Sequence, residues 1–285
     1  MHYDVISLRT FYAGRLGRRV FAALSARLSA FWPSSKSDQT HRITGIGYAV
    51  PYLEKLWPAA ELTALMPAHL GVHRWSGMQS PGGNKAALID EPGLPVADNA
   101  LDRVLLVHCL EHSSDAAALL AEVRRVLTPG GRLVIVVPNR LGWWSRSEQT
   151  AWGSGLPFSH AQIRNLLQEA ELVPMRWTAC LFLPPFLWQA MAAFSPYLLE
   201  LTERIGRFVF SRFCGVIIVE ADKLVHAPVK GRKSRHRGRV YGGRPAFAPN
   251  VSSAVSSASR FGETALEPIK SGQDRRRSQP FFESK

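Results

Sequence analysis

The sequence predicts an α/β fold in which helices cover both faces of a mostly parallel sheet. From residue 87 to residue 139 the chain reads as strand, loop, strand, helix, tight turn and strand, with few residues to spare. The run Val104–Val107 is entirely apolar, as expected of a strand that is buried on both faces. A strand, a helix and a second strand with short links form one right-handed crossover unit. Ligands of such sheets lie at the carboxyl ends of the strands, where this chain carries residues 108–112 and 138–139.

The helix of this unit is predicted from the spacing of its apolar residues, which are Leu119, Leu120, Val123, Val126 and Leu127. The sequence Thr128-Pro129-Gly130-Gly131 ends the helix, because proline cannot continue it and glycine favours the turn that follows. Leu133 to Val137 then resumes the strand pattern.

The remaining elements follow from apolar runs, turn residues and one capping motif. Strands are predicted at 42–47, 61–66, 86–89, 172–183 and 216–220, and helices at 9–32, 51–57, 159–171 and 186–212. Ser159 and Gln162 form a capping box that opens the third of these helices. We divide the chain into an N-terminal helix and linker (1–40), an α/β domain (41–227) with a hydrophobic insertion at about 177–212, and a tail (228–285).

Positive charge is concentrated in the tail. Residues 228–285 contain 13 Lys/Arg and 4 Asp/Glu, whereas residues 1–227 contain 22 and 18. The tail is rich in Ser, Gly, Pro and Arg and has no apolar periodicity, which is typical of disorder. Weak, salt-sensitive contact with an anionic membrane surface is compatible with this tail and with the Arg-rich segment 9–32. No base-reading motif is present, so we expect no specific nucleic-acid partner.

The cysteines and the longest apolar segment bear on the cellular compartment. Cys109, Cys180 and Cys214 are far apart in apolar surroundings, which indicates buried thiols in a reducing compartment and no zinc framework. Residues 177–199 carry no charge, but Pro184-Pro185 and Pro196 would break a membrane-spanning helix. We therefore predict a hydrophobic lid or substrate-pocket insertion there, and a cytoplasmic protein.

The central block resembles a known family. The matching residues, in order, are Leu94-Pro95, Asp98-Asn99, Asp102, the strand RVLLV, Leu110-Glu111-His112, Glu122, Arg125-Val126-Leu127 and Pro129-Gly130-Gly131. This pattern is similar to that of class I S-adenosylmethionine-dependent methyltransferases, and most of all to the type 11 methyltransferase domain. The resemblance implies a Rossmann-like sheet of seven strands whose last strand runs antiparallel. It also implies S-adenosyl-L-methionine as the cofactor, and an N-terminal helix that covers the cofactor pocket.

The family's glycine-rich turn after the first strand is only partly kept in this chain. Of its positions, Gly47 keeps a glycine, Gly45 stands for the usual acid, and Ala49 and Pro51 replace further glycines. Small residues still let the backbone approach a ligand closely. Gly45, Gly47 and the neighbouring Tyr48 are therefore the first cofactor-binding candidates.

The next two strands carry the residues that the resemblance assigns to ribose and adenine. Met66 stands where the family has a ribose-binding acid, so a water or Tyr48 would have to replace that contact. Asp90 matches the acid that accepts from the adenine amino group, with the Glu91 N–H on a ring nitrogen and Leu94 in the same cofactor-binding set. The alternative for Asp90 is that it caps the following turn.

Candidates for a general base lie after the fourth strand and before the capped helix. His108, Glu111 and His160 are the three, and a base is needed only when the acceptor loses a proton. His108 is also a cofactor-contact candidate, whereas His112 is expected to bond backbone. Two His and one Glu after a strand do not share a face as they would in a helix, so no metal site is predicted.

The sequence supports two main functions. The first is a methyltransferase for a small acceptor, with a hydrophobic one favoured by the aromatic residues between Trp143 and Trp188, several of which core packing explains equally well. The residues His-Cys-Leu-Glu-His disfavour a DNA methyltransferase, which carries Asn/Asp-Pro-Pro-aromatic in that place. The second function is a non-catalytic binding or scaffold protein, because a fold does not guarantee an activity. A membrane- or RNA-associated protein is a third, less favoured hypothesis.

Overall fold

The computed structural model describes residues 4–33, 41–72, 74–75, 84–91, 93–209 and 211–224. The predicted basic tail and most of the predicted linker before residue 41 lie outside the described residues, as does most of the loop between Trp75 and Asn84.

Seven strands form one sheet. They are β1 (Arg42–Gly47), β2 (Glu61–Pro67), β3 (Ala86–Ile89), β4 (Leu101–Val107), β5 (Leu127–Pro138), β6 (Val173–Cys180) and β7 (Val216–Asp222). Their order is β3-β2-β1-β4-β5-β7-β6. Strands β1 to β5 pair in parallel, and β7 is antiparallel to both β5 and β6. This confirms the predicted mixed sheet and its antiparallel last strand.

Seven α-helices surround this sheet. They are α1 (Val5–Ala13), α2 (Arg15–Phe31), α3 (Val50–Leu56), α4 (Ala116–Val126), α5 (His160–Glu169), α6 (Pro185–Phe194) and α7 (Pro196–Val209). Short 3₁₀ turns lie at Trp144–Arg146, Ala151–Gly153 and Ser211–Phe213. The capping box is confirmed, since the Ser159 side chain and the Gln162 side chain each bond the other's backbone N–H. Within the described residues, no helix has the length and apolar character needed to cross a bilayer.

The two faces of the sheet bury two apolar clusters. Leu105, Val107 and Val134 pack on one face, beneath α1, α2 and α3. Leu106, Leu133 and Ile135 pack on the other, beneath α4 and α5. Alternate residues of β4 and β5 thus enter opposite clusters, because successive strand side chains point to opposite faces. The unbroken apolar run of each central strand follows from burial on both sides.

The predicted N-terminal helix is two helices that are separated at Gly14. The backbone at Gly14 is extended, and its N–H closes the end of α1 by bonding the Phe11 carbonyl. Helix α2 buries Val20, Leu24 and Leu28 in the core. Its end is held by Trp32, whose Nε1 donates to Glu220 of β7 over 2.9 Å. Helix α2 is therefore part of the core, while α1 returns toward the carboxyl ends of the strands.

The predicted helix end and turn at Thr128–Gly131 are confirmed, since α4 ends at Val126, Gly130 has φ +75°, and the pairing of β5 with β4 is irregular between Leu127 and Arg132. The strand β5 itself starts at Leu127, earlier than the predicted Leu133. Gly130 N–H donates to the Lys223 carbonyl over 3.1 Å, and Lys223 N–H donates to the Gly131 carbonyl over 3.0 Å. These bonds pair the Pro-Gly-Gly segment with the chain that leaves β7. Such pairing joins residues almost a hundred positions apart, so it is invisible to local turn signals.

Candidate functional site

The candidate site is a cleft at the carboxyl ends of β1 and β4. The parallel register pairs Gly47 with Val107, so the turns after both strands start level with each other. Gly47 has φ +83°, and Tyr48 N–H donates to the Val107 carbonyl over 2.8 Å. A Cβ on Gly47 would lie 2.7 Å from the Cβ of Cys109. Only glycine therefore serves here, both for its backbone conformation and for the close approach of the two turns.

His108 is the first residue after β4 and stands at the centre of the cleft. Its φ is +49°, in the left-handed region that side chains rarely adopt. The residue is fully buried, and its Nδ1 lies 3.2 Å from Oε1 of the equally buried Glu111. A carboxylate can only accept, so the ring hydrogen is on Nδ1, and Nε2 is left as an acceptor. Strained backbone of this kind is concentrated at functional sites.

Two phenols continue this hydrogen-bond chain. The hydroxyl of Tyr12, from α1, lies 2.8 Å from His108 Nε2. The hydroxyl of Tyr52, from α3, donates to the Tyr12 oxygen over 3.1 Å. Burial raises the pKa of both phenols, and that of Tyr12 lies well above its ordinary value. Both phenols therefore stay protonated, and Tyr12 can donate to the imidazole.

Two further aromatic rings pack against this hydrogen-bond chain. Trp152 lies against the imidazole of His108, with ring centroids 4.0 Å apart and planes 36° from parallel. Tyr48 stacks on Tyr12 at 5.5 Å and 22°. The second carboxylate oxygen of Glu111 is buried and has no hydrogen-bond partner among the described residues. The arrangement is a buried imidazole–carboxylate pair in an aromatic pocket.

The predicted ribose and adenine residues lie at the ends of β2 and β3. Met66 is buried, and Asp90 is exposed. Glu91 is buried, where its Oε2 accepts from Ser113 Oγ over 2.6 Å and its Oε1 faces His69 Nδ1 at 3.4 Å. The Glu91 carboxylate thus links the ends of β2, β3 and β4.

Leu94 lies in a loop that α4 holds in place. Leu94 N–H donates to Glu122 Oε2 over 3.0 Å, and the Leu94 carbonyl accepts from Arg125 over 2.9 Å. Arg125 also bonds the Val96 carbonyl and Asp98. The bonds between Glu122 and Arg125 lower the pKa of Glu122 and raise that of Arg125. The Leu94 side chain is itself buried in the core. Glu122 and Arg125, which we call the Arg125 clamp, thus fix the backbone of the loop that follows Asp90.

His160 is not brought to the His108 cluster. It packs on Trp177 of the edge strand β6, with ring centroids 5.4 Å apart, and β5 and β7 separate that strand from β4. Burial, followed by the charge of Arg164, lowers the pKa of His160. The backbone N–H of His112 donates to the Cys109 carbonyl over 3.0 Å. In the described part of the chain, no three His, Cys, Asp or Glu side chains are grouped to hold a metal ion.

Helix α1 fills most of the cleft. An empty volume of about 150 Å³ remains, and it is lined by Val5, Leu8, Gly47, Tyr48, Met66, Leu70 and Gly71. Val5 N–H donates to the Leu70 carbonyl over 2.8 Å, which ties the start of α1 to the end of β2. The Leu8 side chain is fully buried. The predicted cofactor residues Gly47, Tyr48 and Met66 therefore face α1 in this structure.

Two residues of the cleft were missed from the sequence. Tyr12 and Tyr52 carry no motif, and each joins the hydrogen-bond chain of His108 only through tertiary packing. Trp152 belongs to the predicted aromatic region, but its contact with His108 was not predicted. The acid-free segment 9–32 contains Tyr12, but its pattern did not indicate which ring enters the cleft.

Comparison with known proteins now defines the class of this α/β domain. The family model described as a methyltransferase domain matches residues 44–135, from β1 into β5. This range contains the first-strand turn, His108, Glu111 and the Arg125 clamp. Over these residues the central part of the chain therefore matches the methyltransferase domain family, whose pattern its sequence resembles.

Two curated relatives match shorter segments. The ubiquinone/menaquinone biosynthesis C-methyltransferase UbiE of Acidiphilium cryptum (strain JF-5) is 42% identical over 55 residues, which cover 19% of this chain and 22% of that protein. The UbiE of Desulfotalea psychrophila (strain LSv54 / DSM 12343) is 32% identical over 91 residues, which cover 32% and 37%. The chain thus spans well under half the length of either relative.

A solved structure matches over a longer range. The geranyl diphosphate C-methyltransferase from Streptomyces coelicolor A3(2), in complex with Mg²⁺, geranyl diphosphate and S-adenosyl-L-homocysteine, covers 78% of this chain and 85% of its own. Its TM-score is 0.51 at 14% identity. At this identity the likeness shows the shared fold.

With α1 in its present position, the space between α1 and the turns after β1 and β2 does not fit S-adenosylmethionine. Pockets for ligands of that size measure about 300–1,000 Å³, whereas this space, as lined by the described residues, admits no water-sized molecule. Gly45 is packed against α3, since a Cβ on Gly45 would lie 2.8 Å from Leu53 Cδ1. Binding of the cofactor in this space would therefore require that α1 move.

Proposed function

We propose that this protein is an S-adenosylmethionine-dependent methyltransferase that acts on a small acceptor. The observation that carries the proposal is the buried His108–Glu111 pair at the carboxyl end of β4, within the matched methyltransferase domain. In sheets of this type, ligands lie at that edge. The cofactor would supply the activated methyl group.

The chain's own contribution is to hold the acceptor and to take its proton. His108 Nε2 is positioned to accept a proton, and Glu111 Oε1 fixes the imidazole through Nδ1. A charged imidazolium formed in this way would be stabilised by the adjacent carboxylate. A positioned base contributes about 10²–10⁴-fold to a rate. His160 is removed from this cluster, so His108 is the base that we propose.

A hydrophobic acceptor is supported by the aromatic rings around His108 and by exposed apolar side chains in the predicted insertion. Trp144, Trp152 and Trp188 are fully buried, so packing accounts for much of the aromatic-rich region. Phe186 and Phe194 of α6 are 69% and 86% exposed. These two side chains are consistent with the predicted hydrophobic insertion, which remains part of the proposal.

A non-catalytic methyltransferase-fold protein is the second candidate function. It is favoured by the filled cleft and by Met66, which stands in the place of the family's ribose-binding acid. Such a protein would bind the cofactor weakly or without turnover. The buried His108–Glu111 pair favours the enzyme, because it lies at the edge of the sheet where ligands of such folds bind.

The compartment and further partners complete the proposal. The three cysteines are buried thiols, which supports a reducing compartment, and the cytoplasm is the one that we propose. Contact of the N-terminal helix and the basic tail with an anionic membrane surface remains a prediction from composition.

The cofactor assignment is tested by restoring the acid at Met66. S-adenosylhomocysteine is titrated calorimetrically into the full-length wild type, Met66→Glu and Met66→Leu. A carboxylate on the ribose hydroxyls adds charge-assisted hydrogen bonds, so Met66→Glu should bind about 10-fold tighter or more. Met66→Leu keeps the size and polarity and should bind like the wild type. Absence of binding in all three proteins at millimolar ligand would contradict the proposed function.

A further inference from the structure

A phenol already occupies the base of the proposed site. The Tyr12 ring stacks on Tyr48, its edge faces Tyr52, and its hydroxyl lies 2.8 Å from His108 Nε2. Tyr12 is placed as a bound aromatic ligand would be. It lies in a flat apolar slot, and the hydrogen-bond acceptor at the end of that slot is His108 Nε2. Tyr12 is 8% exposed, so the slot encloses nearly the whole ring.

The helix that carries this phenol is short and precedes a break in the helical backbone. Helix α1 has nine residues, which is too short to be stable by itself. It is joined to α2 through the extended Gly14, and its Val5 and Leu8 line the cleft. Helix α2 buries a face of its own in the core, so we expect the sheet to stay folded when α1 moves out.

Gly17 shows how closely α1 folds back on α2. A Cβ at this position would lie 2.6 Å from the Phe11 carbonyl carbon and 2.7 Å from Tyr12 Cα. The closed arrangement thus depends on a missing side chain in α2. Gly17 is not one of the cofactor candidates, and the nearest atoms to a Cβ placed there belong to Phe11 and Tyr12 of α1.

We propose that His108, Tyr48 and Trp152 form a subsite for a phenolic methyl acceptor, and that α1 closes it by placing the Tyr12 phenol in the acceptor's position. The inference rests on the proposed methyltransferase function and names its substrate class. In the same closed arrangement Val5 and Leu8 of α1 lie against the cofactor candidates Gly47, Tyr48 and Met66.

The chemistry of the subsite selects a phenol over other acceptors. Nε2 accepts a hydrogen bond, so the ligand must present a donor. A carboxylate presents none and would face the buried charge of Glu111. An aliphatic alcohol is a much weaker acid than a phenol, so of the two the phenol gives its proton to an imidazole base more readily. The stacked rings of Tyr48 and Trp152 favour a flat aromatic body.

The proposal is tested with 4-methylphenol and with toluene. The first reproduces the tyrosine side chain, with Cβ as its methyl group, and the second lacks the hydroxyl. Binding to the full-length wild type and to Gly17→Ala is measured by calorimetry. Alanine favours the helix α2 itself but displaces α1, so the variant should open the subsite. We expect Gly17→Ala to bind 4-methylphenol about 10-fold tighter than the wild type and about 10-fold tighter than toluene, as one hydrogen bond allows.

Two further variants make the result decisive. His108→Ala in the Gly17→Ala background should abolish the preference for 4-methylphenol over toluene. If Gly17→Ala does not fold, as judged by circular dichroism, Leu8→Ser replaces it, because it weakens the hold of α1 in the cleft. Equal affinity of the wild type and the opened variant, or no preference over toluene, would overturn the proposal.

S-adenosylhomocysteine, titrated into the same proteins, distinguishes failure of the phenol subsite from failure of the proposed methyltransferase function. Preferential binding of 4-methylphenol without any binding of S-adenosylhomocysteine supports the phenol subsite and contradicts the methyltransferase function. Binding of S-adenosylhomocysteine without a preference for 4-methylphenol over toluene supports the function and overturns the phenolic subsite.

Discussion

At the scale of single residues, the site is a buried chain of four polar side chains: Glu111, His108, Tyr12 and Tyr52. Each link satisfies a group that water cannot reach, and an unsatisfied buried group costs about 1–3 kcal/mol. The chain also holds His108 in its left-handed backbone conformation. The stability of the closed form therefore depends on the Tyr12 hydroxyl, which links His108 to Tyr52.

Tyr12→Phe and Tyr52→Phe provide a matched test of this chain. Tyr12→Phe leaves His108 Nε2 and the Tyr52 hydroxyl without their partner, and should lower the free energy of unfolding by about 1–3 kcal/mol. Tyr52→Phe removes only the outer link, and should cost about 1 kcal/mol or less. Urea unfolding followed by circular dichroism measures both. A smaller loss for Tyr12→Phe than for Tyr52→Phe would contradict the network.

The sequence predicted half of this chain of residues. His108 and Glu111 are three positions apart after a recognisable strand, so local pattern placed both at the strand's end. Tyr12 and His108 are 96 positions apart, and nothing local marks their contact. The third base candidate, His160, shares the residue type but packs on Trp177, because its helix covers a distant part of the sheet.

At the scale of elements, the strands and the capped helix α5 were predictable because their signals are local. Apolar runs and the Ser159–Gln162 box each act within a few residues. The break at Gly14 was not predicted, since the apolar pattern continues across it. The early start of β5 was also missed, because its first residues are fixed by bonds to Lys223.

The free energy of unfolding should depend on pH through His160, at the start of helix α5. Burial lowers the pKa of this residue in the folded state, so the unfolded chain binds a proton more readily. The stability that the neutral ring contributes is present above the unfolded pKa of about 6.5, and is lost as the pH falls through the lower folded pKa. His160→Phe keeps the ring contact with Trp177 and should remove this loss.

Urea unfolding of the wild type and His160→Phe at pH 8 and pH 5 measures the effect. The variant should gain stability relative to the wild type on acidification. A constant difference between the two proteins at both pH values would show that His160 does not contribute to the acid sensitivity.

At the scale of the whole molecule, we expect the proposed cofactor and the N-terminal helix α1 to compete for one cleft. The strand order and the level ends of β1 and β4 create that cleft, and α1 fills it down to about 150 Å³. When a binding-competent form is only a fraction of the population, the apparent affinity for a ligand falls by that fraction. Cofactor binding and displacement of α1 should therefore be linked.

Hydrogen exchange with and without S-adenosylhomocysteine tests this central claim most directly. Amides of α1, residues 5–13, should exchange faster when the ligand is bound, because the helix has left the cleft and is too short to persist alone. Amides at the ends of β1 and β4 should exchange more slowly at the same time. Protection of α1 by the ligand, or no change in either region at millimolar ligand, would contradict the account.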